Sequence, residues 1–125
     1  MSDVDSYILR SSLQAQARLF SLRKIAQNVF LNAEERLYYG LPAFSANGRV
    51  LMFYGAYKAH MSICVGYEWV DFLKVQFPQY KYTQATIIFP YDVPFPEDVV
   101  QVICDLLNQA LISKKQPSIP SANDK

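Results

Sequence analysis

A chain of 125 residues with 51% apolar and 18% charged side chains has the make-up of one folded domain; it is neither a disordered nor a fibrous composition, and no residues are left for a second core. Twelve basic and eleven acidic side chains leave a net charge of +1, so no long-range field selects polyanions. Aromatic residues make up 14% of the chain, more than so small a core requires, and some of these rings are expected to line a cavity or an interface.

The first residues, Met1-Ser2-Asp3-Val4-Asp5-Ser6, are polar and acidic and lack the basic start and apolar run of an export signal. Lys58, His60, Glu68 and Asp71 interrupt the middle of the chain, so no apolar stretch approaches the roughly 18 to 20 residues that cross a bilayer. A soluble, cytoplasmic protein with no membrane partner is expected.

Val4 to Leu9 predict a short helix, and Ser11 or Ser12 is available to cap a longer one running from Ser12 to Phe30. In the longer helix Ala15, Leu19, Leu22, Ala26, Val29 and Phe30 share a stripe, while Gln14, Lys24, Gln27 and Asn28 face away. From Glu35 the pattern becomes strand-like, and Asn47-Gly48 between two apolar runs predicts a two-residue hairpin turn. In Arg49 to Tyr57, strict alternation puts Val50, Met52 and Tyr54 on one face and Leu51, Phe53 and Tyr57 on the other. Both faces are apolar. This strand therefore lies beneath two covering layers, or its far face forms a ligand cavity or a subunit contact.

Met61, Ile63, Val65 and Tyr67 alternate with Ser62, Cys64 and Gly66, a third strand with one face of small residues. Glu68 to Phe77 read as a helix stopped by Pro78, with Trp69, Phe72 and Leu73 as its apolar residues; Thr86 to Phe89 read as a strand. Pro96 suits a first helical turn, Glu97 and Asp98 complement its dipole, and Val99, Ile103, Leu106 and Ala110, with Val102 and Leu107 beside them, carry the helix to about Ile112. Past Ser113 the period is lost, so residues 1–112 are expected to form one domain and 113–125 a flexible tail. Strands in the middle with helices around them predict an α+β fold: an antiparallel sheet packed against N-terminal, middle and C-terminal helices as a two-layer sandwich.

Tests for chemistry return little. No glycine-rich phosphate loop occurs, and His60 is the only imidazole, with no nucleophile motif beside it. No catalytic residues are assigned, and the chain is expected not to be an enzyme. Cys64 and Cys104 are far apart in sequence and suit reduced, largely buried thiols, so no metal ligands and no cofactor are expected. Glu34-Glu35 and Glu97-Asp98 are sequence neighbours whose side chains diverge in space, so both pairs read as helix starts or solvated faces. Lys114-Lys115 has no aromatic RNA signature around it, so no nucleic-acid partner is expected. Lys58 and His60, two apart in extended chain, project from one face and can hold an anion together; the alternative is a hydrogen-bonded histidine in a turn beside a solvated lysine.

The stretch Glu35-Arg-Leu-Tyr-Tyr-Gly-Leu-Pro-Ala-Phe44 resembles the signature of the bacterial YdhG-like domain family, a glutamate ahead of Tyr-Gly-Met-Pro-x-Phe, with Leu41 where methionine is usual. Tyr57-Lys58-Ala59-His60 is similar to the family's Phe-Lys-x-His, and Ile87-Ile88-Phe89-Pro90 followed by Pro94-Phe95-Pro96-Glu97 extends the likeness; Gln84-Ala85 stand where Lys-Gly is common. The resemblance implies a compact α+β domain, mostly without assigned activity. One branch is described as a frataxin-like intracellular iron chaperone, which implies clustered carboxylates; here the acids are dispersed, with no acidic ridge on the first helix.

The expectation is an uncharacterised, non-enzymatic binding domain. Its candidate site lies over the sheet, bordered by Tyr39, Phe44, Tyr54, Lys58 and His60, and takes a small anionic ligand. The alternatives are an iron chaperone and a homodimer formed through the apolar far face without ligand.

Overall fold

The computed structural model describes residues 2–112; the tail expected at 113–125, with Lys114-Lys115, lies outside the described residues. Helix α1 (Asp3–Arg10) starts at a reciprocal cap: the Ser2 hydroxyl accepts the Asp5 N–H at 3.1 Å, and the Asp5 carboxylate accepts the Ser2 N–H at 3.0 Å. Ser12 caps α2 (Leu13–Val29) by accepting the Ala15 N–H. Of the predicted stripe, Ala15, Leu19, Leu22, Ala26 and Phe30 are buried and Val29 is half-buried against the core.

Six strands follow among the described residues: β1 (Glu34–Tyr38), β2 (Leu41–Ala46), β3 (Arg49–Ala56), β4 (His60–Cys64), β5 (Lys81–Tyr82) and β6 (Thr86–Pro90). They form one antiparallel sheet in the order β1-β2-β3-β4-β6-β5, with α3 (Tyr67–Gln76) between β4 and β5 and α4 (Glu97–Ile112) last. The fold is the α+β two-layer sandwich that the pattern predicts.

The four helices among the described residues pack on one face of the sheet. Val4 and Ile8 of α1, Leu19 and Leu22 of α2, Val70 and Leu73 of α3 and Ile103 of α4 belong to one buried cluster with Phe44, Met52, Tyr54, Ile63 and Phe89 of the strands. The other face carries a small cluster of its own, Ala43 and Val50 with Tyr38 and Phe53 against them, which holds no helix residue. Arg18 of α2 fastens the chain leaving β6, donating to the carbonyls of Pro90 (3.1 Å), Tyr91 (2.9 Å) and Val93 (2.6 Å). Both cysteines are free thiols, and burial pushes Cys104 up to about 12.

Several local expectations are corrected. The strand-like run from Glu35 to Ala46 is two strands, split by a second tight turn at Tyr39-Gly40. The strand predicted to reach Tyr67 stops at Cys64, and Tyr67 opens α3. In β3 alternation is broken: Phe44 pairs with Met52 but Ser45 pairs with Val50, so Leu51 is the extra residue of a bulge. Leu51 therefore joins Met52 and Tyr54 in the helix-side core, and Val50 sits with Phe53 on the far side. On α4, Val100 and Cys104 take the buried positions and Val102 is exposed. None of the described helices is long and apolar enough to cross a membrane.

Candidate functional site

Alternation fixes what the uncovered face presents. In register across it stand Arg36 and Tyr38 of β1, Leu41, Ala43 and Ser45 of β2, Phe53 and Gly55 of β3, His60, Ser62 and Cys64 of β4, and Thr86 and Ile88 of β6. The floor between β3, β4 and β6 is low because its residues are small, while rings and Leu41 rise around it. The result is a hollow of about 290 Å³ lined by Tyr39, Leu41, Phe53, Tyr54, Tyr57, Ser62, Cys64 and Thr86. Gly55 keeps the floor low: a Cβ would lie 2.9 Å from Leu41 Cδ2 and 3.3 Å from the hydroxyls of Tyr57 and of Tyr7 of α1, side-chain ends that would have to shift for it.

Tyr39 sits at the rim in an uncommon backbone. With φ of 54° at Tyr39 and 79° at Gly40, and Tyr38 paired with Leu41, the β1–β2 connection is a two-residue turn with both central residues left-handed. Asn47-Gly48 makes the same turn, with φ of 56° and 75°, using the residues that tolerate it. A tyrosine there costs about 1 kcal/mol or more. Its ring is 89% exposed and stands 6.4 Å from that of Phe53. At the opposite end, His60 stacks on Tyr57 with ring centroids 5.1 Å apart, and the Tyr57 N–H closes the intervening turn on the His60 carbonyl. Lys58 is exposed in that turn.

The five residues predicted to border a site are thus not brought together. Tyr39 and His60 belong to the uncovered side and Lys58 is exposed in the β3–β4 turn, whereas Phe44 and Tyr54, 2% and 1% exposed, point into the helix-side core. Strand parity is the reason, since Phe44 and Tyr54 share a face with Met52 and Ile63. Leu41, Gly55, Ser62, Cys64 and Thr86 were missed; their signal is the same parity, counted across strands from Phe53.

Tyr54 instead serves a buried charge network. Its hydroxyl donates to Glu35 Oε2 at 2.6 Å, Arg23 Nε donates to Glu35 Oε1 at 2.7 Å, and Arg23 Nη1 donates to Asp5 Oδ1 at 2.6 Å. The side chains of Arg23 and Glu35 are 18% and 9% exposed. Burial and the adjacent Glu35 charge push the Tyr54 phenol far up. Burial works against the Arg23 charge, and the bonds to Asp5 and Glu35 more than offset it. The bond from Arg23 and those from Ser2 hold the Asp5 carboxyl down at about 2. Glu34 and Glu35 diverge, as neighbours in a strand must, with Glu34 outward; Glu35 enters this network, which corrects its reading as a helix start or solvated face.

A second hollow, about 370 Å³, opens at the other end of the same face, with Asn32, Glu34, Arg36, Tyr38, Ser45 and Asn47 among its lining. The Arg36 guanidinium lies 4.9 Å over the Tyr38 ring, whose hydroxyl is 3.4 Å from Ser45 Oγ. Among the described residues no three His, Cys, Asp or Glu side chains gather as a metal site.

No family model matches the sequence, and no curated protein does. Solved structures do: a protein of the DUF1801 family, YdhG, from Bacillus subtilis matches with a TM-score of 0.77 over 90% of this chain and 91% of its own, at 16% identity. The chain has the YdhG-like fold. An uncharacterised conserved protein from Lactobacillus casei matches with a TM-score of 0.57 over 90% and 93% of the two chains, at 21% identity.

Within the YdhG-like fold, the stretch from Glu35 to Phe44 has a physical meaning at each step. Glu35 anchors the charge network, Tyr39-Gly40 makes the left-handed turn, and Phe44 stacks on Tyr54 and meets Phe30 in the core. Pro42 has no N–H to offer β3, and the β2–β3 ladder runs only as far as Ala43 and Phe53.

Proposed function

We propose that this chain is a non-enzymatic, cytoplasmic binding domain that takes a small, flat, partly apolar ligand bearing an acidic group. The ring of the ligand lies over Gly55, Ser62 and Cys64 between Phe53, Tyr39 and Tyr57, and its acidic group points toward His60 and Lys58. The observation that carries this reading is the hollow of rings and small residues on the face of the sheet that no helix packs across, with Tyr39 held almost fully exposed in a backbone conformation that disfavours it. A volume of about 290 Å³ suits a ligand at the small end of the usual range.

Amide shifts test it. Phenylacetate and phenyl phosphate, titrated into the labelled protein, are expected to move the amides of Gly55, Ser62, Cys64 and Thr86; absence of shifts at millimolar probe, or shifts confined to the helices, overturns the reading. His60→Ala is expected to weaken both acidic probes roughly two- to fivefold and to leave a neutral probe such as benzyl alcohol unchanged.

A further inference from the structure

The two edges of the sheet are not alike. Strand β5 is two residues long, carries Lys81 and follows Pro78 closely, which is how an edge is kept from pairing. Strand β1 is five residues long, contains no proline, and pairs with β2 without a register shift. Tyr38 and Leu41 flank a two-residue turn and so exchange both backbone hydrogen bonds, as do Arg36 with Ala43 and Glu34 with Ser45. The N–H and C=O groups of Glu35 and Leu37 therefore point away from β2, toward whatever lies beyond the edge.

We infer that β1 pairs antiparallel with β1 of a second copy of this chain, centred on Glu35, and joins the two sheets into one. Charges on an edge strand ordinarily keep copies apart because like meets like. Here the order is Glu34-x-Arg36, which antiparallel pairing reverses, so Glu34 stands opposite the partner's Arg36 and Arg36 opposite the partner's Glu34. Both residues are exposed on the face opposite the helices, Arg36 with its guanidinium resting over the Tyr38 ring of its own strand, from which it would turn to reach the partner. Glu35 would meet the partner's Glu35 on the other face, but its carboxylate is already bound by Arg23 and Tyr54 of its own copy, which offsets part of the repulsion; Arg23 is shared with Asp5, so the offset is incomplete. Along the backbone, Glu35 exchanges N–H and C=O with its counterpart. The Leu37 N–H reaches the partner's Ala33 carbonyl; the Ala33 N–H is already used on Phe30 at 3.2 Å. The hollow beside Tyr39 and Phe53 stays open in such a dimer, so this inference stands independently of the proposed ligand.

Sedimentation equilibrium of the full chain tests both the association and its register. The wild type is expected to dimerise. Glu34→Arg alone and Arg36→Glu alone each oppose like charges twice and are expected to weaken the dimer at least about tenfold, with circular dichroism confirming that these surface variants fold. An equimolar mixture of the two variants, and the double variant Glu34→Arg/Arg36→Glu, restore opposite charges at both positions and are expected to recover the dimer. A wild type that stays monomeric at 0.5 mM overturns the inference. So does a folded single variant that associates as well as wild type, or a double variant that fails to recover association.

Discussion

Phe44 and Tyr54 on one side of β2 and β3, and Tyr39, Phe53 and Tyr57 on the other, are the same chemistry put to opposite use. On the helix side the rings are buried and stacked, and the one hydroxyl among them that carries a charge partner, Tyr54, donates to Glu35 at 2.6 Å. On the other side Tyr39 and Tyr57 stand in solvent, around a floor of small residues. The first set stabilises the fold by removing apolar area from water and satisfying every polar atom it takes along. The second contributes little of that, and one of its members holds a costly backbone. The two faces therefore predict different penalties for superficially similar substitutions.

The largest effect belongs to the helix side. Glu35→Ala leaves the Arg23 guanidinium and the Tyr54 hydroxyl without their shared acceptor and is expected to cost about 3 kcal/mol of unfolding free energy, the low end for a broken buried pair because Asp5 still binds Arg23. Phe53→Ala on the other face removes a larger side chain yet is expected to cost about 1 kcal/mol or less, while abolishing the phenylacetate shifts. Urea midpoints of the two variants decide the matter. Equal losses mean that the open face is as much a part of the folding core as the covered one.

A smaller, pH-dependent effect sharpens the same contrast. Asp5 has its folded value lowered from the ordinary 3.8 to about 2 by Arg23 and Ser2. A depressed carboxyl favours the folded state at pH above its unfolded value, and this contribution fades as pH falls through the folded value. Stability is therefore expected to decline between about pH 4 and pH 2, and Asp5→Asn is expected to flatten that part of the profile when urea midpoints are compared at pH 5, 4, 3 and 2. A variant profile parallel to wild type places the acid sensitivity elsewhere.

Much of this was legible in the residues themselves. The α2 stripe, the Asn47-Gly48 turn and Pro96 ahead of α4 are local signals, and each element formed where they pointed. What failed was parity. The bulge at Leu51 inserts a residue that pattern reading cannot see, and it exchanges the faces of Val50 and Leu51. Tyr39-Gly40 carries no Asn or Asp to announce a left-handed turn, so β1 and β2 read as one strand, and β5 is too short to show a period. For the site, the apolar far face of β3 could be anticipated from Phe53 and Tyr57. Its opposing floor of Gly55, Ser62, Cys64 and Thr86 comes from cross-strand register, which depends on turns and bulges rather than on any one segment.

The smallest expected effect has the opposite sign. Two turns of one geometry, Asn47-Gly48 and Tyr39-Gly40, differ only in whether the first residue suits a φ near 55°. Tyr39→Asn gives the second turn the residue of the first and relieves the left-handed backbone, while the lost ring touches little beyond Phe53. The variant is expected to be more stable by about 0.5–1 kcal/mol, read as a rise in the urea midpoint, and to bind phenylacetate more weakly. Stabilisation with weakened binding means that the tyrosine is held there for the ligand at the expense of the turn. A lower midpoint means that the ring at the rim is itself part of what keeps β1 and β2 together, and the distinction between the two faces fails at Tyr39.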